Sequence, residues 1–149
     1  MAESSPQLTD IFFTKLPVSL QPYRTGDAKE ILRVPAKAAD VGNLIVYNYG
    51  VEFTVAVGKI SHRHFECFLS RAEREEDGQR EAAEDAINWI EEILADRVRF
   101  RVEYSSGRVI AGSSWNPAES NGGRWLAKTD QSREYLWSGE QSASRPAAG

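Results

Sequence analysis

Hydrophobic residues recur at helical spacing from Gln79 to Ala95 and predict one long amphipathic helix. At 3.6 residues per turn these positions gather on one face of the helix. The apolar positions are Ala83, Ala86, Ile87, Ile90, Ile93 and Leu94. Asp77 is the candidate N-cap, and Gly78 disfavours an earlier start. The chain therefore carries a helix with one side for a core and one polar side.

A period-two alternation follows the helix directly and predicts a tight β-hairpin. Apolar and charged residues alternate from Arg97 to Tyr104, and Ser106-Gly107 supplies the chemistry of a two-residue turn. A regular ladder from that turn pairs Phe100 with Ser113. One face of the hairpin is then apolar and is expected to face the helix.

Three strands are predicted upstream of the helix, at 44–47, 51–57 and 62–69, where β-branched and aromatic residues alternate with polar ones. Proline and glycine interrupt residues 17–43, which leaves room only for short pieces, such as a turn of helix or strand over Ala28–Val34. The apolar island Ile11–Leu16 is expected to form a strand or a docking turn.

The predicted order is β-β-β-α-β-β, which indicates an α+β fold with one mostly antiparallel sheet and the helix packed on one face. We expect a single domain over residues 1–137, with 1–9 frayed and 138–149 a disordered C-terminal tail. The aromatic segments 124–127 and 134–137 are each expected to add a strand or to cap the core.

Charge and cysteine content indicate which ligands and which cellular compartment suit this protein. The 149 residues carry a formal charge of −4, with a pI near 5.3, which argues against nucleic acid as the main ligand. Cys67 is the only cysteine, so no intrachain disulfide can form. The first residues show no basic segment ahead of an apolar stretch, so we expect no signal peptide, and no apolar run approaches the length of a membrane span. A cytoplasmic protein with a protein partner and no cofactor is the expectation.

Acidic residues occupy the polar side of the predicted helix and form a candidate surface for a basic partner. These residues are Glu81, Glu84, Asp85, Glu91 and Glu92. Trp125 and Trp137 are further candidates for partner contact, because tryptophan is frequent in binding hot spots. A merely solvated helix face and ordinary aromatic packing are the simpler interpretations.

The two histidines of the chain lie two residues apart in the third predicted strand. Alternation puts His62, His64 and Glu66 on one face of that strand, and two imidazoles with a carboxylate form a plausible ligand set for a divalent metal ion. Glu52 on the neighbouring strand is a further candidate ligand if the strand register allows it. Two solvated histidines near a turn are the alternative.

No nucleophile elbow, phosphate loop or dinucleotide fingerprint occurs in the sequence, which favours a binding protein over an enzyme. The segment Trp89–Phe100, with the hairpin after it, resembles small bacterial α+β immunity proteins of secreted polymorphic toxins. That resemblance implies a non-enzymatic cytoplasmic inhibitor that neutralises a toxin, often through acidic residues. A secretion-type chaperone of an effector protein and a metal-dependent enzyme using His62, His64 and Glu66 are the alternatives.

Overall fold

The fold is described from a computed structural model, which covers residues 8–50, 52–66, 75–119 and 128–144. The chain divides into two compact units. Unit 1 takes the described residues of Met1–Pro35, Leu44–Ala56 and His62–Ile90, and unit 2 takes those of Ala36–Asn43, Val57–Ser61 and Glu91–Gly149. Each unit is described below by itself.

The first sheet is a four-stranded meander in the order β1-β2-β3-β4. The chain opens with helix α1 (Leu8–Lys15) and a 3-10 helix (Val18–Tyr23). The strands follow as β1 (Glu30–Val34), β2 (Leu44–Asn48), β3 (Glu52–Val57) and β4 (Ser61–Glu66). The strands predicted at 44–47, 51–57 and 62–69 correspond to β2, β3 and β4. The island Ile11–Leu16 is not a strand, because it falls within α1 and the turn that ends it.

Two helices cover the apolar side of this sheet. The Phe12 ring of α1 lies 5.0 Å from the Phe53 ring of β3, and both side chains are completely buried. Helix α2 (Glu75–Leu94) packs on the sheet where the Arg63 guanidinium lies 4.1 Å from the centre of the Trp89 ring. Trp89 is 8% exposed, and the Arg63 side chain covers its ring where α2 meets the sheet.

Helix α2 confirms the main periodicity of the sequence. Its buried side chains include Ala82, Ala83, Ala86, Ile87, Ile90 and Ile93. The helix begins at Glu75, ahead of the expected cap Asp77, and contains Gly78. It ends where Asp96 takes a φ of 59°, and the Arg97 N–H donates to the Glu92 carbonyl at 2.9 Å. That left-handed residue and its backbone bond are the usual way in which a helix closes.

Unit 2 contains a second antiparallel sheet in the order β6-β5-β7-β8. Its strands are β5 (Arg99–Ser105), β6 (Arg108–Trp115), β7 (Gln131–Leu136) and β8 (Gly139–Ser144). The predicted hairpin is β5–β6. The two-residue turn at Ser106 and Gly107 is confirmed, and their φ values of 52° and 78° are those of a type I′ turn.

The predicted register of the hairpin is wrong beyond the second residue pair from the turn. Tyr104 pairs with Val109 as expected, but Phe100 pairs with Ser114 instead of Ser113. The cause is a β-bulge at Glu103/Tyr104, where β6 carries one extra residue, Ile110, that has no partner in the register. Alternation alone cannot reveal such an insertion, because Ile110 looks like any other strand residue.

Deletion of Ile110 is expected to leave the fold intact, because the extra residue is 38% exposed and the remaining cross-strand pairs are kept. The free energy of unfolding should fall by less than about 1 kcal/mol, as for a surface change. Urea unfolding followed by tryptophan fluorescence measures this difference. Deletion of Ser113 is the control, since it shifts the pairs beyond it by one position and should be far more destabilising. Equal losses in both variants would contradict the bulge.

The α+β class, the antiparallel pairing and the packing of a helix on a sheet are confirmed, but the strands form two sheets and not one. The C-terminal expectation needs a correction. Residues 138–149 were predicted to be a disordered tail, yet β8 (Gly139–Ser144) pairs with β7 along its length. The segment 134–137 supplies the end of β7, as expected. The segment 124–127, residues 1–7 of the expected frayed end, residues 67–69 of the third predicted strand and residues 145–149 of the predicted tail lie outside the described residues.

Candidate functional site

The acidic residues that the sequence selected lie on the solvent side of α2. Glu81, Glu84, Asp85 and Glu91 are exposed, and Glu92 is half-buried. From Glu81 to Asp96 the chain has six acidic residues and no lysine or arginine. The helix therefore presents one sign of charge to solvent over its second half.

Two of these carboxylates already have partners within the chain. Lys15 Nζ of α1 lies 2.8 Å from Glu84 Oε1, with both side chains partly exposed. Glu92 Oε2 accepts from Arg97 Nε at 2.8 Å and from Asn116 Nδ2 at 3.1 Å. Glu84 and Glu92 therefore contribute to the structure of their own surroundings and are poor choices for a test of binding.

Glu81 and Asp85 differ from them, because no ion pair joins either residue to any other part of the chain that the structure describes. They lie four residues apart and therefore on the same side of the helix. Like charges at that spacing weaken a helix by about 0.2–0.5 kcal/mol. At 100° per residue, Glu81, Glu84 and Asp85 fall within a sector of about 100°. We call these three residues the acidic face.

The last turn of α2 is also acidic, although the negative end of a helix dipole favours cations. Glu91 and Glu92 both lie in that turn, which has no basic residue. Arg97 compensates Glu92 by direct pairing, whereas no described cation pairs with Glu91. The charge of this helix is thus unfavourable for its own stability at two places.

The aromatic part of the predicted partner surface is not supported. Trp137 is only 4% exposed and belongs to the core of unit 2, so it is not available to a partner in this structure. Trp125 lies outside the described residues. Tyr135, close to Trp137 in the chain, is also 4% exposed. Exposed aromatic rings occur elsewhere, at Tyr23 and Tyr49.

The two histidines form a small polar cluster with residues of β3. The imidazole centres of His62 and His64 lie 5.2 Å apart with an angle of 75° between their planes. His64 Nδ1 lies 3.0 Å from Glu52 Oε1 and 2.9 Å from Thr54 Oγ1. Thr54 is 5% exposed, whereas half of the His64 side chain is open to solvent. The cluster therefore has a buried floor and an open imidazole edge.

Glu66, the predicted third member of this cluster, is an exposed residue at the end of β4. The structure shows no hydrogen bond between Glu66 and either of the described histidines. The glutamate that reaches His64 is Glu52, across the strand pair. Among the described residues, no group of three histidine, cysteine or acidic side chains is placed to hold a metal ion. The ligand set His62, His64 and Glu66 is therefore not assembled here.

Sequence reasoning missed the burial of charge on the second sheet. Arg101 and Glu103, predicted on the polar face of the hairpin, are only 5% and 3% exposed. Thr129 Oγ1 donates to Glu103 Oε1 at 2.8 Å, and the Arg101 guanidinium lies 5.5 Å from the centre of the Trp115 ring. Both charged groups are used inside unit 2.

A groove of about 570 Å³ in unit 1 was also not foreseen. Its lining includes Asp10, Phe13, Arg24 and Asp27. The Arg24 guanidinium stacks 3.9 Å from the centre of the Phe13 ring. Asp27 Oδ1 accepts the backbone N–H groups of Glu30 and Lys29, and these bonds lower the pKa of the Asp27 carboxyl. Asp27 is therefore engaged in holding its own loop, and the groove shows no nucleophile paired with a base.

Comparison of the chain with models of protein families, with curated proteins and with solved structures gave no match. None of the described helices is both long enough and apolar enough to cross a membrane. The physical features above therefore have to support any proposal of function by themselves.

Proposed function

We propose that this protein is a non-enzymatic binding module that captures a basic protein partner through the acidic face of α2. The observation that carries the proposal is the uncompensated charge of Glu81 and Asp85 on an exposed helix surface. Their mutual repulsion lowers helix stability, and a surface that is unfavourable for folding is commonly retained for its function.

The chemistry of the partner follows from the charge. Among the described residues of its unit, Lys15 pairs with Glu84, and Glu81 and Asp85 have no cation paired with them. Such a face attracts a surface of lysine and arginine side chains. Such complementarity acts mainly on the rate of encounter, which it can raise by about 10-fold or more at low ionic strength. Fast encounter suits an inhibitor that has to reach its target before the target acts.

An immunity-type inhibitor of a secreted toxin is the specific form of this proposal. It is supported by the resemblance of Trp89–Phe100 and the hairpin to small α+β immunity proteins, and by the acidic character of the helix in that segment. The acidic face lies on α2, the helix whose last residues begin the segment that carries the resemblance. One helix therefore accounts for both observations.

Charge reversal at two positions tests the acidic face directly. The double variant Glu81→Lys/Asp85→Lys is expected to fold, because both side chains are exposed and neither holds an ion pair in the described structure. As probe we take the protein encoded by the adjacent gene, in a growth assay and in stopped-flow association. The variant should lose protection in the growth assay, and association should slow by about 10-fold or more at low salt.

The control variant is Asp40→Lys/Glu119→Lys, which changes the net charge equally at exposed positions that do not belong to α2. It should protect and associate like the wild type. Equal losses in both double variants would mean that net charge alone controls binding, and they would reject the acidic face as the binding surface. If the wild-type protein neither binds the adjacent gene product nor protects against it, the immunity-type function is rejected.

A further inference from the structure

The histidine cluster of β3 and β4 is independent of the proposed function, and it brings two exposed imidazole rings close together on one strand. We propose that His62 and His64 bind one divalent transition-metal ion of the zinc or copper type through their imidazole nitrogens. Water fills the remaining positions, and Glu52 acts as the carboxylate that orients His64.

The separation of the two rings is the first argument. A zinc–nitrogen bond is about 2.0–2.1 Å, and the centre of an imidazole lies about 1.1 Å behind its nitrogen, so each ring centre is about 3.2 Å from a bound ion. At a tetrahedral angle, two such rings have centres about 5.2 Å apart. The His62 and His64 ring centres are 5.2 Å apart in the structure. The strand therefore already holds the rings at the spacing that one ion requires.

The protonation of His64 is the second argument. A carboxylate only accepts hydrogen bonds, so Nδ1 of His64 carries the hydrogen that points to Glu52 Oε1 at 3.0 Å. In the neutral form of this ring, the other nitrogen, Nε2, carries the lone pair that a metal ion needs. This carboxylate–histidine arrangement is the one that usually supports a metal-bound histidine, where it fixes the tautomer and raises the basicity of the ligand.

The location of the pair decides what kind of site it is. His62 is exposed and the His64 side chain is half exposed, so an ion and its water ligands can reach both rings. No third protein ligand joins them among the described residues. The site is consequently an open one, with positions left for water. Imidazole ligands favour copper and zinc over magnesium and calcium, which prefer oxygen.

Metal titration of the full chain, without a purification tag, tests the proposal. Isothermal titration calorimetry with zinc chloride and copper sulfate should show one equivalent bound, with copper tighter than zinc and no heat from magnesium. Electron paramagnetic resonance of the copper form should show hyperfine splitting from nitrogen ligands. His62→Asn and His64→Asn should each weaken binding by about 10-fold or more. Absence of one-to-one binding, or binding unchanged in these variants, would overturn the proposal.

Two carboxylate variants separate this site from the ligand set that the sequence suggested. Glu52→Gln keeps an acceptor for Nδ1 but removes the charge, so it should weaken binding by about 10-fold. Glu66→Gln should leave the affinity unchanged, and a loss as large as that of the histidine variants would assign the site to Glu66 instead. Cys67→Ser should also leave the affinity unchanged, and loss of binding there would identify a thiolate site and refute the two-imidazole proposal.

Discussion

The variant Gly58→Ala is expected to lose about 3–5 kcal/mol of unfolding free energy, which combines backbone strain with overpacking. Gly58 has a φ of 50°, and a methyl group on it would lie 2.1 Å from the Val41 carbonyl oxygen. Its own N–H donates to the Asn43 carbonyl at 2.8 Å, so the backbone cannot move away without losing that bond. Since small domains are stable by about 5–15 kcal/mol in total, this loss is a large fraction of the stability of the fold, and the variant should unfold at a clearly lower denaturant concentration.

Gly26→Ala is the matched control for this prediction. Gly26 also has a positive φ, of 78°, but nothing lies within 4 Å of the position of the added methyl group. Its cost should be the conformational strain alone, about 1–2 kcal/mol. Guanidinium unfolding of both variants, followed by circular dichroism, measures the difference. If the two variants lose the same free energy, the contact of Gly58 with Val41 is absent from the folded protein in solution.

The turns and the long helix could be predicted from sequence because their causes are local. In the β5–β6 hairpin, Ser106 and Gly107 are residues that accept a positive φ, and the flanking alternation needs no knowledge of the rest of the chain. The apolar spacing of α2 likewise repeats over more than three turns, which fixes its buried side. Features of this kind depend on neighbours in the sequence.

Elements that depend on distant partners could not be predicted in the same way. Helix α1 has only eight residues, too few for a clear periodicity, and its Phe12 is buried against Phe53, which lies 41 positions later in the chain. Strand β8 is built largely from small and polar residues that are poor strand formers, and it exists through its pairing with β7. Tertiary contact overrides local preference in both cases.

The candidate sites follow the same division. The helix pattern correctly put Glu81 and Asp85 on the solvent side, because exposure of one helix face follows from its periodicity. Strand alternation selected Glu66 as the partner of the histidines, with Glu52 as a further candidate that depended on the strand register, and Glu52 is the carboxylate in contact with His64. The identity of that neighbour depends on how β3 and β4 align, which the sequence of one strand does not specify.

Phe53→Ala is expected to be as damaging to unit 1 as Gly58→Ala is to unit 2. Phe53 is completely buried, and its ring lies 5.0 Å from that of Phe12. Truncation removes the apolar surface of the ring and leaves a cavity that the sheet and α1 fill only in part, which costs about 3–5 kcal/mol. Thermal and urea unfolding monitored by tryptophan fluorescence should show a lower midpoint.

Tyr49→Ala provides the control, since it removes an aromatic ring from the turn before the same strand. Tyr49 is 47% exposed and stacks on Tyr47 with ring centres 5.8 Å apart, so its loss should cost about 0.5–1.5 kcal/mol at most. Similar losses for Tyr49→Ala and Phe53→Ala would contradict the burial of Phe53 beneath α1. A double-mutant cycle with Phe12→Ala adds a sharper test, because rings in direct contact should show a coupling energy of about 0.5–1.5 kcal/mol. Strict additivity of the two truncations would mean that α1 does not pack on β3 through these rings.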